Sequence, residues 1–508
     1  MLKRISIMVL AVIIIVSIGL SGCGKKTMPA GNTNDGKVDV VDSNKDGDND
    51  NKAESQGEEN EGTEDEKEPV ENVEEKNDVE EEDKVYISAS RLNVRIEGSP
   101  NGKIIGKIMK GSSVKILDKQ LNEAGEITWY KIGFEEEGTP KEGWISAKYT
   151  VKDRMELLGE GYKELDLTPQ EKQEYEGNPR VEVKGVYVTI HSAGGKKIDK
   201  LIEMAKETNI NTFVIDVKDD SGNMLFATEA AEKYSPEANK KVPIKDIEAF
   251  MKKLKDNNIY TIARIVSFKD PKYAKRNPDR DIVYKSNGKP YTNRDGIIWV
   301  SPHDRQLWEY NIGVSKEAAE VGFNEIQFDY VRFPASNGGK LDKHLDYRNK
   351  LGESKPLTIQ RYLKYAKEKL SPHKVYISAD VYGLVGSVSD DMGLGQYWEA
   401  ISNVVDYISP MMYPSHYGER VYGLPVPDAA PYKTVYRSTK DSVTRNKNIE
   451  TPAIIRPWIQ DFTATWVDGH IRYGAKEVKA QIKALEDNGV KEYLLWNPGN
   501  SYSEDGVK

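Results

Sequence analysis

Asp329 and Asp380 stand where a side chain is poorly used for packing and well used for chemistry. Asp329 closes the run Glu325-Ile326-Gln327-Phe328-Asp329, ahead of Tyr330-Val331-Arg332-Phe333-Pro334. Alternation along a strand puts Gln327 and Asp329 on one face and Ile326 and Phe328 on the other. Asp380 repeats the design in Ser378-Ala379-Asp380-Val381-Tyr382-Gly383. Two opposed carboxylates suffice to hydrolyse a glycosidic bond, one as acid and the other as nucleophile or base. A nearby arginine keeps one of such a pair ionised, and an apolar surround raises the pKa of the other.

Other strand-like runs end in similar chemistry. They supply Asp216 and Lys218, Arg264, Arg332, Tyr413 with His416, Arg456, Trp458 and Asp461, and Trp496 with Asn497. Carboxylates, cations and flat rings together are the inventory of a sugar-processing site, and Tyr413, Trp458 and Trp496 suit stacking on a pyranose. The six histidines are scattered and form no H-E-x-x-H or close ligand pair, so neither a metal nor another cofactor is expected.

These residues need a scaffold that brings strand ends together. Strand-like runs fall at 183–190, 212–218, 260–268, 325–333, 375–382, 407–413, 453–459 and 492–496. Amphipathic stretches separate them, among them 198–206, 247–254, 359–370 and 478–488, with Asn209, Asn258 and Gly489 placed as C-terminal caps. Eight alternating units over residues 181–508 predict an α/β fold, a (β/α)₈ TIM barrel, whose strand C-termini converge on one site. The alternative is a doubly wound open sheet. Against it, His191-Ser192-Ala193-Gly194-Gly195 has neither dinucleotide nor Walker spacing. The long insertion from Asp270 to Pro302 carries a hairpin signal at Asn287-Gly288 and reads as a flap walling the cleft.

The N-terminal third is organised differently. Lys3 and Arg4 precede an apolar run from Ile5 to Leu20, short for a membrane span, then Ser21-Gly22-Cys23, so residues 1–22 read as a secretory signal. Residues 23–84 read as an acidic disordered tether. From Gly24 to Lys84 there are 22 Asp/Glu and 8 Lys, with no aromatic, Leu or Ile. That stretch carries a net −14 while the whole chain is −9, so the folded part is near neutral and lacks the basic footprint of a nucleic-acid binder. Asp42 to Asp48 imitates a calcium loop, but its twelfth position is Ala53 and a solvated acidic run is the better account. Short apolar runs with turn signals over residues 85–151 predict a small all-β barrel with Trp129 and Trp144 as core residues. Residues 152–180 form a charged connector with a helix start at Thr168-Pro169-Gln170-Glu171.

Three resemblances sharpen this reading. Leu20-Ser21-Gly22-Cys23, with the sole cysteine of the chain, resembles a bacterial lipoprotein signal. It implies lipidation of Cys23 and an extracytoplasmic protein anchored to the cell membrane. The order L-N-V-R at Leu92, G-S-S-V at Gly111, W-Y-K-I at Trp129 and G-W-I-S at Gly143 resembles the bacterial SH3-type domain, which implies cell-wall binding. The stretches G-V-Y-V-T at Gly185, F-V-I-D-V-K-D-D-S-G at Phe213, Q-F-D-Y-V-R-F-P at Gln327, S-A-D-V-Y-G at Ser378, I-S-P-M-M-Y-P-S-H-Y at Ile408 and R-P-W-I-Q-D-F at Arg456 carry the third. They resemble a family of glycoside-hydrolase-type barrels from bacterial secreted proteins, long catalogued as a domain of unknown function.

That family is similar in outline to α-amylase-like and α-galactosidase-like barrels. The resemblance implies Asp329 as nucleophile at the end of the fourth strand and Asp380 as general acid/base after the fifth, where the α-amylase-like group has Glu. Asp461 matches a further acidic position after the seventh strand. The implied substrate is a cell-wall or extracellular polysaccharide. A non-catalytic glycan-binding protein on the same scaffold is the alternative, and a metal-dependent deacetylase or amidase a third.

Overall fold

The computed structural model describes residues 84–508, apart from 90, 110, 137–138, 153, 158–161, 294–295 and 337–338. The signal sequence, Cys23 and the tether up to residue 83 lie outside the described residues. Among the described residues no helix is long and apolar enough to cross a membrane. The chain divides into two compact units.

The first is all-β. Strands β1 (Lys84–Ile87), β2 (Arg91–Arg95), β3 (Ile104–Met109), β4 (Ser113–Leu121), β5 (Ile127–Glu136), β6 (Thr139–Ser146) and β7 (Thr150–Val151) pair antiparallel in the order β3-β2-β6-β5-β4-β1-β7. Alternation sends Val85 and Ile87, Leu92 and Val94, Tyr130 and Ile132, and Ile145 into one apolar core. The same period of two turns Trp129 and Trp144, the neighbours of Tyr130 and Ile145, to the opposite face. Both are only half-buried, so the expectation that they are core residues is corrected.

The second unit is a closed parallel barrel. Its strands are β8 (Lys184–Val188), β9 (Thr212–Lys218), β10 (Tyr260–Val266), β12 (Glu325–Asp329), β14 (Tyr376–Tyr382), β15 (Tyr407–Met411), the split seventh strand β16 (Ile454–Ile455) and β17 (Trp458–Gln460), and β18 (Tyr493–Trp496). Each pairs with its successor, and β18 pairs with β8 to close the ring. The seventh strand splits at Pro457, which has no N–H to give the ladder. Helices Lys197–Glu207, Ile247–Asp256, Arg305–Glu320, Lys355–Leu370, Trp398–Ser402, Pro431–Asn446 and Ala475–Glu486 connect successive strands. Asn258 and Gly489 take the left-handed conformation expected of terminators. Asn209 does not; its N–H bonds instead to Val507 O at 3.0 Å.

The insertion after the third barrel strand folds as expected. Within it β11 (Val283–Tyr284) turns back at Asn287-Gly288, with Gly288 at φ +68, and pairs with β13 (Leu345–Asp346).

The segment from Asp166 packs under the N-terminal end of the barrel and contains no helix at Thr168, contrary to expectation. The N-terminal end of the barrel supplies the partners of these backbone groups instead. Gln170 N–H donates to Thr451 Oγ1 at 2.9 Å, and Thr168 O accepts from Asn403 Nδ2 at 2.7 Å. Lys172 Nζ then donates to Ser402 O, Asn403 O and Val405 O at 3.2, 3.0 and 2.7 Å, capping the end of a helix. Lys172→Ala removes all three bonds. It should lower barrel stability by about 1–3 kcal/mol, read as a shift in the denaturation midpoint; an unchanged midpoint would show these bonds to be replaced by water.

The same end holds a buried ionic cluster. Arg456 Nη1 donates to both oxygens of Glu325 at 2.9 and 2.8 Å, its Nε donates to Glu492 at 2.7 Å, and its guanidinium lies 3.5 Å from the Tyr407 ring centre. Arg456 and Glu325 are both wholly occluded from solvent.

Candidate active site

At the other end of the barrel the strand C-termini open into a cavity of about 700 Å³. Asp216, Arg264, Asp329, Arg332, Asp380, Tyr413, His416, Trp458 and Trp496 all line it, so nine of the residues singled out from sequence come together. Parallel pairing explains why. Arg264 on β10 lies opposite Asp216 on β9, and Val266 lies opposite Asp329 on β12. β12 and β14 are neighbours, which sets Asp329 and Asp380 on adjacent strands.

Arg264 organises the floor. Its Nη1 donates to Asp216 Oδ1 at 2.5 Å, its Nε donates to Asp329 Oδ2 at 3.0 Å, and its Nη2 donates to the same Asp329 oxygen. Tyr187 OH donates to the second oxygen of Asp216 at 2.5 Å. Burial pushes Asp216 up to about 6 despite the guanidinium. Asp329 faces the buried Arg264 guanidinium directly. Asp380 sits in different company. Burial first, and then the negative charge of Asp329, push its carboxyl well above the usual range, and Trp458 Nε1 donates to Asp380 Oδ1 at 2.8 Å. The two aspartates therefore sit in unlike surroundings, Asp329 against a guanidinium and Asp380 against an indole N–H.

Backbone detail fixes the ends of both strands. Tyr330 adopts φ +49, a region a bulky residue enters at a cost, and its N–H bonds to Asp329 Oδ1 at 2.5 Å. Gln396 accepts from Tyr382 N–H and donates to Asp380 O, both at 3.0 Å.

The aromatic wall differs in detail from the expectation. Trp458 is almost wholly buried, which leaves little of its ring for stacking, and its indole N–H serves Asp380. Trp496 is half-buried and stacked on Tyr187, with ring centres 4.0 Å apart. Burial lowers His416 to about 4, so it is neutral and uncharged toward the cavity.

Four expected site residues lie elsewhere. The β9–β10 ladder slips by one residue after Asp216, which turns Lys218 away from the cavity into a buried pair with Asp270 at 2.7 Å, beside the Tyr310 ring. Arg456 precedes the Pro457 break and points into the opposite end of the barrel. Asp461 accepts from Ser503 N–H and Oγ, both at 2.7 Å, and Asn497 bonds to Asp461 O and Ser501 O; both fasten the C-terminal segment.

Sequence reasoning passed over Tyr187, Lys269, Tyr330 and Tyr382, all on the cavity wall. Tyr187 was findable, since alternation along β8 puts it on the inward face with Gly185. Lys269 lies beyond its strand, where alternation no longer speaks. The flap contributes Ile297 to the wall, with Trp299 packed behind it against Tyr330. No group of three or more His, Cys, Asp or Glu suited to a metal occurs among the described residues.

Residues 185–502 match the family model described as a putative glycosyl hydrolase domain. The chain belongs to that glycosyl hydrolase family. Residues 90–151 match the bacterial SH3 domain. No curated protein matches the chain. Among solved structures it is similar to a hypothetical protein from Ruminiclostridium thermocellum, with 31% identity over 41% of this chain and 98% of that one and a TM-score of 0.34. It is also similar to the PgaB glycoside hydrolase domain from Bordetella bronchiseptica, with 11% identity, coverage of 65% and 99%, and a TM-score of 0.47. An α-galactosidase from Thermus thermophilus follows at 10% identity, coverage of 78% and 72%, and a TM-score of 0.42. The family assignment rests on the family model.

Proposed function

We propose that this member of the family is an active glycoside hydrolase of a cell-wall or extracellular polysaccharide, with Asp329 as nucleophile and Asp380 as general acid/base. The observation that carries the reading is the pair of unlike environments in one cavity. Asp329 faces the Arg264 guanidinium, and Asp380 is buried with its pKa raised. A proton held on Asp380 can pass to the leaving oxygen while the Asp329 carboxylate attacks the anomeric carbon; Asp380 then activates the water that releases the sugar. Asp216 and Tyr187 hold Arg264 in register, and Trp496 supplies the ring for stacking.

The N-terminal features place this chemistry outside the cell in our reading. The Leu20-Ser21-Gly22-Cys23 ending supports lipidation of Cys23 and attachment to the membrane, with the acidic stretch as spacer and the SH3 domain engaging the wall. Purified protein assayed on a panel of wall polymers, wild type beside Asp329→Asn, tests the activity. Identical product profiles from the two would sink the assignment.

Trp458 gives a finer test. Its indole N–H stabilises the ionised form of Asp380, so Trp458→Phe should raise that pKa further. Loss of the acid form sets the alkaline limb of kcat/KM, and that limb should move to higher pH in the variant. A limb that stays in place would remove Asp380 from the acid role.

A further inference from the structure

One buried cation in the cavity lacks a counter-charge. Arg332 is 5% exposed and lines the cavity three residues beyond Asp329. Its guanidinium lies over the rings of Trp299 and Tyr382, each at 4.7 Å, and that of Tyr330 at 5.4 Å. Nη1 donates to Phe333 O at 2.9 Å. No carboxylate among the described residues forms an ion pair with it. The other cations of the cavity are matched, Arg264 by Asp216 and Asp329, and Lys269 by Asp220 at 3.0 Å.

A guanidinium taken out of water is costly unless it is paired, and ring contacts offset only part of that cost. Its planar fork fits a carboxylate through two parallel hydrogen bonds. None of its nitrogens is both occluded and unbonded, so the remaining donors reach the cavity space. A bound carboxylate would supply the missing counter-charge, which the hydroxyls of a neutral sugar do not. We propose that the sugar taken into this cavity carries a carboxylate, and that Arg332 receives it. The proposal rests on the glycoside-hydrolase reading and adds the substrate class.

Two forms of a carboxylate on a pyranose are a C6 uronate and an ether-linked lactate. The test is equilibrium binding of two matched pairs to the full chain, D-glucuronate against D-glucose and N-acetylmuramate against N-acetylglucosamine. Wild type should prefer the acid of at least one pair by about ten- to a hundredfold, the range for a charge-assisted bidentate contact. The preference should weaken with salt. It should fall close to unity in Arg332→Met and be partly kept in Arg332→Lys.

Preference in the first pair identifies a uronate, and in the second a lactyl ether. Equal binding within both pairs by wild type overturns the proposal whether or not the variants fold, as does a preference that survives in Arg332→Met. Binding of none of the four also overturns it. The polymer assay with Asp329→Asn then decides separately whether the hydrolase reading stands.

Discussion

Asp329→Asn is expected to lower turnover of the natural polymer by on the order of 10⁴-fold or more, with the folded protein retained. On the proposed roles the substitution keeps the shape of the side chain and removes the nucleophile, so no covalent intermediate forms. Arg264 keeps Asp216 as a partner, and the unfolding midpoint should move little by comparison. Asp380→Asn separates the two roles. An acid is needed in proportion to how poor the leaving group is, so this variant should lose about 10²–10⁴-fold on the polymer and far less on an aryl glycoside of the same sugar. Asp329→Asn should be equally inactive on both. If the leaving group made no difference to the Asp380 variant, or protected the Asp329 variant instead, the roles would have to be exchanged.

The second large effect concerns the opposite end of the barrel. Arg456→Met should destabilise the barrel by about 3–5 kcal/mol, the cost of leaving a buried charge without its partner. Among the described residues Arg456 is the one cation bonded to Glu325, and neither side chain reaches solvent. Burial already raises the pKa of Glu325, and Arg456 acts to lower it. Without Arg456 the carboxyl shifts further upward. The folded variant then binds a proton that the unfolded chain releases above the ordinary glutamate range, so its stability falls as pH rises through that window. Denaturation midpoints at pH 5 and pH 7 should therefore show a smaller deficit at the lower pH. The double variant Arg456→Met/Glu325→Gln should recover part of the loss. A double variant no better than the single one would mean that packing, and not charge, dominates at this site.

Much of this protein was legible from local pattern. The eight barrel strands fell where strand-like runs were expected, and Thr212–Lys218 matches its prediction at both ends. Period-two alternation is a property of the chain itself, so Asp216, Asp329 and Asp380 could be assigned to a common mouth before any coordinates. The hairpin at Asn287-Gly288 was legible for a similar reason, since a residue at φ +68 calls for glycine.

The misplacements share another cause. Lys218 and Arg456 sit on runs that do end in the barrel, yet a one-residue slip in the ladder and a proline break send them elsewhere. Thr168 has the local signature of a helix start, but Thr168 O and Gln170 N–H find their partners on the underside of the barrel, where side chains distant in sequence meet them. Trp129 and Trp144 have core-like composition and outward phase.

By itself, then, the sequence determined the strand and helix periods, the barrel class and the set of carboxylates available to its mouth, because these follow from residue spacing and backbone geometry. The tertiary structure alone decided which of these groups touch and how deeply each is buried. Arg264 meets Asp216 and Asp329 only because three neighbouring strands pair in register, and Asp380 is deprived of water only because the closed barrel buries it. Electrostatics depends on distance and burial in space, and neither is written in the order of residues along a chain.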